Sequence, residues 1–139
     1  MPWESSKILY QLLFLNKQIS PKFERCTGIS PTRLELLHHL VQADEISQTT
    51  LQREVNIDLA AITRHLQQLE AAGMVERRKS TSDNRMTLVR LTDKGREQII
   101  SYRIEKDEFV NKLLHGFNDE ECQQFAAMLS RMQHNLSDL

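Results

Sequence analysis

Glycine and proline are scarce in this chain, 4 and 3 in 139 residues, which excludes collagen-like repeats, low-complexity linkers and long structureless loops. Cysteine is limited to Cys26 and Cys122. Two widely separated thiols do not make a disulfide framework. Neither of them joins the five histidines (His38, His39, His65, His115, His134) at zinc-ligand spacing, so no metal is expected. Long apolar runs are missing too. The longest, Ile8 to Leu15, is broken by Gln11 and is far too short to cross a bilayer. The start, Met-Pro-Trp-Glu, has no basic region ahead of an apolar run, so no secretory signal is read and a cytoplasmic location is expected. There is no Gly-rich phosphate loop, nucleophile elbow or metal motif, so no catalytic residue, cofactor or enzymatic function is expected. The paired acids Glu120-Glu121 fit the start of a helix, where negative charge meets the helix dipole.

What is present suits one soluble domain with its own core: 40% hydrophobic and 27% charged residues. The net charge of −1 argues at first against nucleic acid, but its distribution argues the other way. Residues 64–96 hold eight Lys/Arg against four Asp/Glu, whereas residues 97–139 hold four against eight. A basic middle beside an acidic tail points to nucleic-acid binding by the middle.

Hydrophobic periodicity predicts helices over most of the chain. Residues 5–25 carry Ile8, Leu12, Leu15 and Ile19 on one face, widened by Leu9, Leu13 and Phe14, with Pro21 a candidate kink. Ser30-Pro31 opens a second helix as N-cap and first residue, with Leu34, Leu37 and Val41 as its stripe, Leu36 and Leu40 alongside, and an end before Asp44. A short third helix over 48–55 is capped by Ser47 and buries Leu51 and Val55, and Asn56 suits the tight turn after it. Asp58 caps a fourth helix whose stripe is Leu59, Ile62, Leu66 and Leu69 and whose end is marked by Gly73. The third and fourth together describe a helix-turn-helix.

Residues 74–80 and 86–91 read as two strands joined by the polar turn Thr81-Ser82-Asp83-Asn84-Arg85. A hairpin directly after a helix-turn-helix is a wing. Thr92 caps a fifth helix from Asp93 to about His115, and Asn118 with Glu121 forms a capping box for a sixth. In that last helix Cys122, Phe125, Leu129, Met132 and Leu136 form a heptad-like seam, either an intramolecular packing face or an intersubunit helix.

With its stripe inward, the fourth helix turns Ala60, Ala61, Thr63, Arg64, Gln67 and Gln68 toward solvent, and its first turn fits a major groove about 12 Å wide. Arg64 suits bidentate guanine recognition or phosphate, Thr63 either role more weakly, Gln67 or Gln68 adenine, and the two alanines a thymine methyl. In the wing, Arg85 at the tip suits a narrow minor groove, and Asp83 either orients it or shapes the turn. Strand alternation places Arg77 and Lys79 on one side and Arg78 on the other, so not all three can reach phosphate. The wing contacts expected are therefore Arg77, Lys79, Asp83 and Arg85.

These blocks resemble one known family. Ile57-Asp58-Leu59-Ala60-Ala61-Ile62-Thr63-Arg64-His65-Leu66, with Leu69-Glu70 and Gly73-Met74-Val75-Glu76-Arg77, is similar to the recognition helix and first wing strand of the MarR regulators. Asp83-Asn84-Arg85 and Val89-Arg90-Leu91-Thr92-Asp93-Lys94-Gly95 resemble that family's wing tip and the strand after it. The resemblance spans nearly the whole chain. It implies a mainly α winged helix-turn-helix with a small β-hairpin wing, as a single domain over 1–139. Within it, residues 30–95 form the DNA-binding module, and 1–25 and 96–139 form N- and C-terminal dimerisation helices. It further implies a homodimer on a pseudo-palindromic double-stranded operator, and a repressor released by a small ligand bound near the joint, where His38 and Tyr102 are candidates. Some relatives respond instead to cysteine oxidation. Here Cys26 follows the first helix and Cys122 lies on an apolar stripe, where a buried thiol is expected. Ala60 and Ala61 depart from the hydroxyl residues many members carry there, so the operator does not transfer. The competing reading is a winged-helix protein-interaction module without DNA binding. Such a module has no need of a basic tip and a basic recognition helix together.

Overall fold

The computed structural model describes residues 3–139. The chain divides into two compact units, Met1–Lys106 and Asp107–Leu139.

In the first unit, α1 (Trp3–Thr27) continues through Pro21 without a break in the helix. The Thr27 hydroxyl lies 2.8 Å from the Phe23 carbonyl oxygen and accepts the Ile29 N–H at 3.2 Å, closing the turn into the next element. The Ser30 hydroxyl accepts the Arg33 N–H at 3.2 Å and opens α2 (Pro31–Val41). Leu34, Leu36, Leu37 and Leu40 of α2 are buried, while Val41, the last residue of the expected stripe, is only half-buried. Ser47 then serves two elements. It ends β1 (Ile46–Ser47), and its hydroxyl accepts from Thr50 N–H at the start of α3 (Gln48–Val55). The turn out of α3 is made by Asn56 at φ 57°, a left-handed conformation that asparagine tolerates better than most residues.

The N-cap of α4 (Leu59–Ala71) is Asp58, whose carboxylate accepts the Ala61 N–H at 2.7 Å. Replacing it orphans that donor. Asp58→Ala is therefore expected to cost about 1 kcal/mol of stability, seen as a lower urea midpoint with unchanged slope. Ile62, Leu66 and Leu69 of α4 are buried as the stripe requires. Leu59 is not: it is 61% exposed. As the first helical residue it sits ahead of the turn that packs, and it joins the outer face instead of the core.

The chain then forms β2 (Val75–Lys79), one residue shorter at each end than the periodicity suggests, and β3 (Thr87–Leu91), one residue shorter at its outer end. The sheet has three strands rather than two, in the antiparallel order β1-β3-β2. Ile46 pairs with Val89 and Ser47 with Leu88 on one edge, while Val75 pairs with Leu91, Arg77 with Val89 and Lys79 with Thr87 on the other. The core runs from α2 through the helix-turn-helix to the base of the wing, with Leu34, Leu37, Leu51, Ile62, Leu66 and Val89 fully buried.

The base of the wing is stapled by Thr92. Its hydroxyl donates to the Gly73 carbonyl at 2.6 Å and accepts the Gly95 N–H at 3.0 Å, capping α5 (Asp93–Leu113). Gly73 takes φ +78°, the left-handed turn that closes α4 onto β2.

The second unit holds the end of α5 and α6 (Asp119–Ser137). The capping box is complete: Asn118 Oδ1 accepts the Glu121 N–H at 2.8 Å, and the Glu121 carboxylate accepts the Asn118 N–H at 3.0 Å. Phe117 meets Phe125 edge-to-face, with ring centroids 6.4 Å apart. No residue of α6 is buried. Of the expected seam, Phe125, Leu129 and Leu136 are exposed, and Cys122 and Met132 are half-covered. The thiol of Cys122 is thus not the buried group that its place on an apolar stripe suggested.

Candidate nucleic-acid interface

The outer face of α4 presents Ala60, Arg64, Gln67 and Gln68 to solvent, whereas Ala61 and Thr63 are half-buried. Thr63 differs from its neighbours because its hydroxyl is already engaged. It donates to the Leu59 carbonyl at 2.9 Å and accepts from Gln48 Nε2 at 3.2 Å. Gln48, at the start of α3, is thereby tied to α4, a link between distant positions that local spacing does not show. His65 is half-buried beside this face and accepts from Arg33 Nε at 3.2 Å through Nδ1. Burial first, then the guanidiniums of Arg33 and Arg64, hold its pKa below the ordinary histidine value, which favours the neutral ring that such an acceptor requires.

The tip of the wing is a defined turn. Ser80 N–H donates to the Met86 carbonyl at 2.9 Å, and Met86 N–H donates to the Asp83 carbonyl at 3.0 Å. Asp83 Oδ1 accepts the backbone N–H of Arg85 at 3.0 Å and lies 3.5 Å from its Nε. The carboxylate therefore shapes the turn mainly through the backbone, and the Arg85 side chain stands 94% exposed.

The strand arginines behave differently. Arg77 donates to Glu70 at the end of α4, Arg78 to Glu45, and Arg90 to Glu76, with closest separations of 3.0, 2.7 and 2.6 Å. Strand alternation puts Arg77 with the groove-facing contacts, but its side chain is only 20% exposed and its guanidinium is bonded to Glu70 of α4. The hydrogen bond from Arg77 is the main reason Glu70 titrates below the usual glutamate value. The bond to Glu76 likewise raises Arg90. Lys79 is exposed and rests its ammonium 3.2 Å from the Thr87 hydroxyl.

The two ligand-pocket candidates are both engaged with neighbours. Tyr102 points its hydroxyl at the Met74 sulfur at 3.9 Å, and His38 Nδ1 accepts from Arg103 Nε at 3.3 Å. Cys26 is exposed. Among the described residues no group of three His, Cys, Asp or Glu is placed to hold a metal ion, and no helix is long and apolar enough to cross a membrane.

A helix-turn-helix whose second helix turns polar side chains outward, followed by a hairpin with an exposed arginine at its tip, is the architecture of a winged helix. The family model described as a winged helix DNA-binding domain matches residues 32–110, and the chain belongs to that family. It is a transcriptional regulator of the helix-turn-helix type. The chain is 54% identical over 136 residues to an uncharacterized HTH-type transcriptional regulator, YdgJ, of Bacillus subtilis (strain 168), covering 98% of this chain and 83% of the relative. Its fold is that of the MarR regulators. It superposes on a mutant MarR from E. coli complexed with operator DNA with a TM-score of 0.82 at 21% identity, over 93% of this chain and 95% of that one. For a probable transcriptional regulator from Pseudomonas aeruginosa the TM-score is 0.84 at 23% identity, over 92% and 98% of the two chains.

Proposed function

We propose that this regulator binds a pseudo-palindromic duplex as a homodimer, with α4 of each protomer in the major groove and the Arg85 tip in the adjacent minor groove. It represses transcription from that site until a small ligand releases it. The observation that carries the reading is Arg85: a turn held by Asp83 presents it 94% exposed, while Arg64 stands exposed on α4. The narrow minor groove concentrates negative potential and draws an arginine placed there. Two recognition helices related by a two-fold axis read half-sites about 34–36 Å apart. Pairing is supported by α1, which leaves Ile8, Leu9, Leu13 and Phe14 each more than half exposed. An apolar surface of this kind marks an interaction site on a soluble protein. Release by a small ligand rests on the resemblance to MarR regulators.

The test is fluorescence-anisotropy titration of DNA from immediately upstream of the regulator's own gene against a scrambled duplex, at two salt concentrations. A preference for the native fragment that survives the higher salt is expected. Weak binding to both duplexes that vanishes with salt would instead leave only non-specific electrostatics and favour the protein-interaction module. Arg85→Ala is expected to weaken binding and reduce the dependence of log K on log salt by about 1. Base preference in the major groove should stay as in the wild type.

A further inference from the structure

Glu70 and Arg77 are the most heavily bonded charged pair in the molecule's DNA-binding half. One carboxylate receives three donors from one residue: Arg77 Nη2 at 3.0 Å and Nε at 3.3 Å on Oε1, and the Arg77 backbone N–H at 3.1 Å on Oε2. Exposed ion pairs ordinarily contribute little, because two long side chains must be held in one geometry in high dielectric. This one is built otherwise. The Arg77 side chain is 20% exposed and that of Glu70 40%, but the third bond goes to main chain, so the carboxylate holds the β2 backbone itself and not only a mobile side chain. Its position matters as much as its bonds. Glu70 lies in the last turn of α4, and Arg77 is the middle residue of β2, which leads to the wing tip. Between them the chain makes the Gly73 turn at φ +78°, where the Gly73 and Met74 N–H groups bond back to the Glu70 and Leu69 carbonyls; those bonds hold the junction itself, and the Glu70–Arg77 contact adds a tie beyond it, in the middle of β2. Arg78–Glu45 and Arg90–Glu76, by contrast, join residues of the sheet and its edge and do not reach α4.

We propose that Glu70 and Arg77 are positioning residues that set the attitude of the wing to the recognition helix, so that Arg64 and Arg85 meet their grooves together. The proposal rests on the DNA-binding reading above. It makes a prediction opposite in sign to simple electrostatics. Taking a negative charge off the DNA-binding half should tighten binding to any duplex. Losing the clamp should weaken binding to the specific duplex alone, because only there must helix and tip both be in register.

The experiment compares wild type, Glu70→Gln and Arg77→Lys as full chains. The glutamine keeps an acceptor and removes the charge. The lysine keeps the charge and removes the fork, which a point-charge ammonium does not replace. Two quantities are measured: 15N order parameters of the Asn84 and Arg85 amides in the free protein, and anisotropy titrations with the upstream and scrambled duplexes. The expected result is a fall in the tip order parameters in both variants. With it comes about tenfold weaker binding to the upstream duplex, the loss that about 1.4 kcal/mol of positioning represents, while the scrambled duplex binds as well as before or better. Unchanged order parameters overturn the clamp, as does Glu70→Gln binding the upstream duplex as tightly as wild type or tighter. If wild type shows no preference between the duplexes, the DNA-binding reading fails on that result, and the relaxation data still decide whether the clamp exists.

Discussion

Gly95→Ala is expected to destabilise the first unit by about 3 kcal/mol or more, near the upper end of what over-packing costs. In a helix, alanine normally stabilises relative to glycine by about 1 kcal/mol, so the local preference points the other way. Space decides it. A Cβ at Gly95 would stand 2.3 Å from the Met74 carbonyl oxygen and 2.8 Å from Leu91 Cδ1. The leucine can rotate, but the carbonyl cannot easily move, because it accepts the Thr92 N–H at 3.0 Å within the same staple that caps α5. Either α5 shifts away from the base of the wing or the Thr92 bonds break. Urea denaturation followed by far-UV circular dichroism reads the effect as a lower midpoint, and a midpoint equal to or above wild type would show that the close approach is not needed. Since the same contact seats the wing, DNA affinity should fall along with stability.

Arg64→Ala is expected to cost about 1–3 kcal/mol of specific binding and, on the two-fold reading proposed above, to relax base preference at one position of each half-site. Arg64 is exposed, has no ion-pair partner among the described residues, and leaves the buried stripe of α4 untouched when truncated. Folding stability should therefore stay within the small range of surface substitutions, about 0.5 kcal/mol. Anisotropy titration against single-base variants of the preferred duplex separates two roles. Loss of discrimination at one base pair marks a base reader, whereas uniform weakening marks a phosphate contact. Unaltered affinity for every duplex would remove Arg64 from the interface.

The elements legible in the sequence were those whose signal is local. Ser30, Ser47, Asp58 and Asn118 each cap the helix that their position announces, because an N-cap needs only a donor two or three residues ahead. The wing and the fifth helix followed from strand alternation and from Thr92. What stayed hidden depends on partners far along the chain. The strand β1 has only two residues, too few for any period, and exists because Val89 and Leu88 lie across from it. Glu45 is 33 residues from the arginine it neutralises, and Gln48 is 15 from Thr63, so neither pairing leaves a trace in spacing. Leu59 fitted the helical stripe by arithmetic yet faces solvent, because a period fixes direction around an axis and not whether anything packs at that end. The expected groove residues were placed by this same periodic reasoning. It located the outer face of α4 but gave no account of which polar atoms on it were already committed.

The uncovered leucines and phenylalanine of α1 bear on how this protein behaves at the concentrations of a cell. On the pairing proposed above, folding and association are linked, so the melting temperature should climb as the protein is concentrated, and a dilute stock should lose activity on standing. A regulator held at low copy number would then have its working lifetime set by mass action on its own synthesis. On that pairing, a fall in expression would return the chain to a state that exposes Ile8, Leu9 and Phe14 to chaperones and proteases, and the bound site would clear without any ligand.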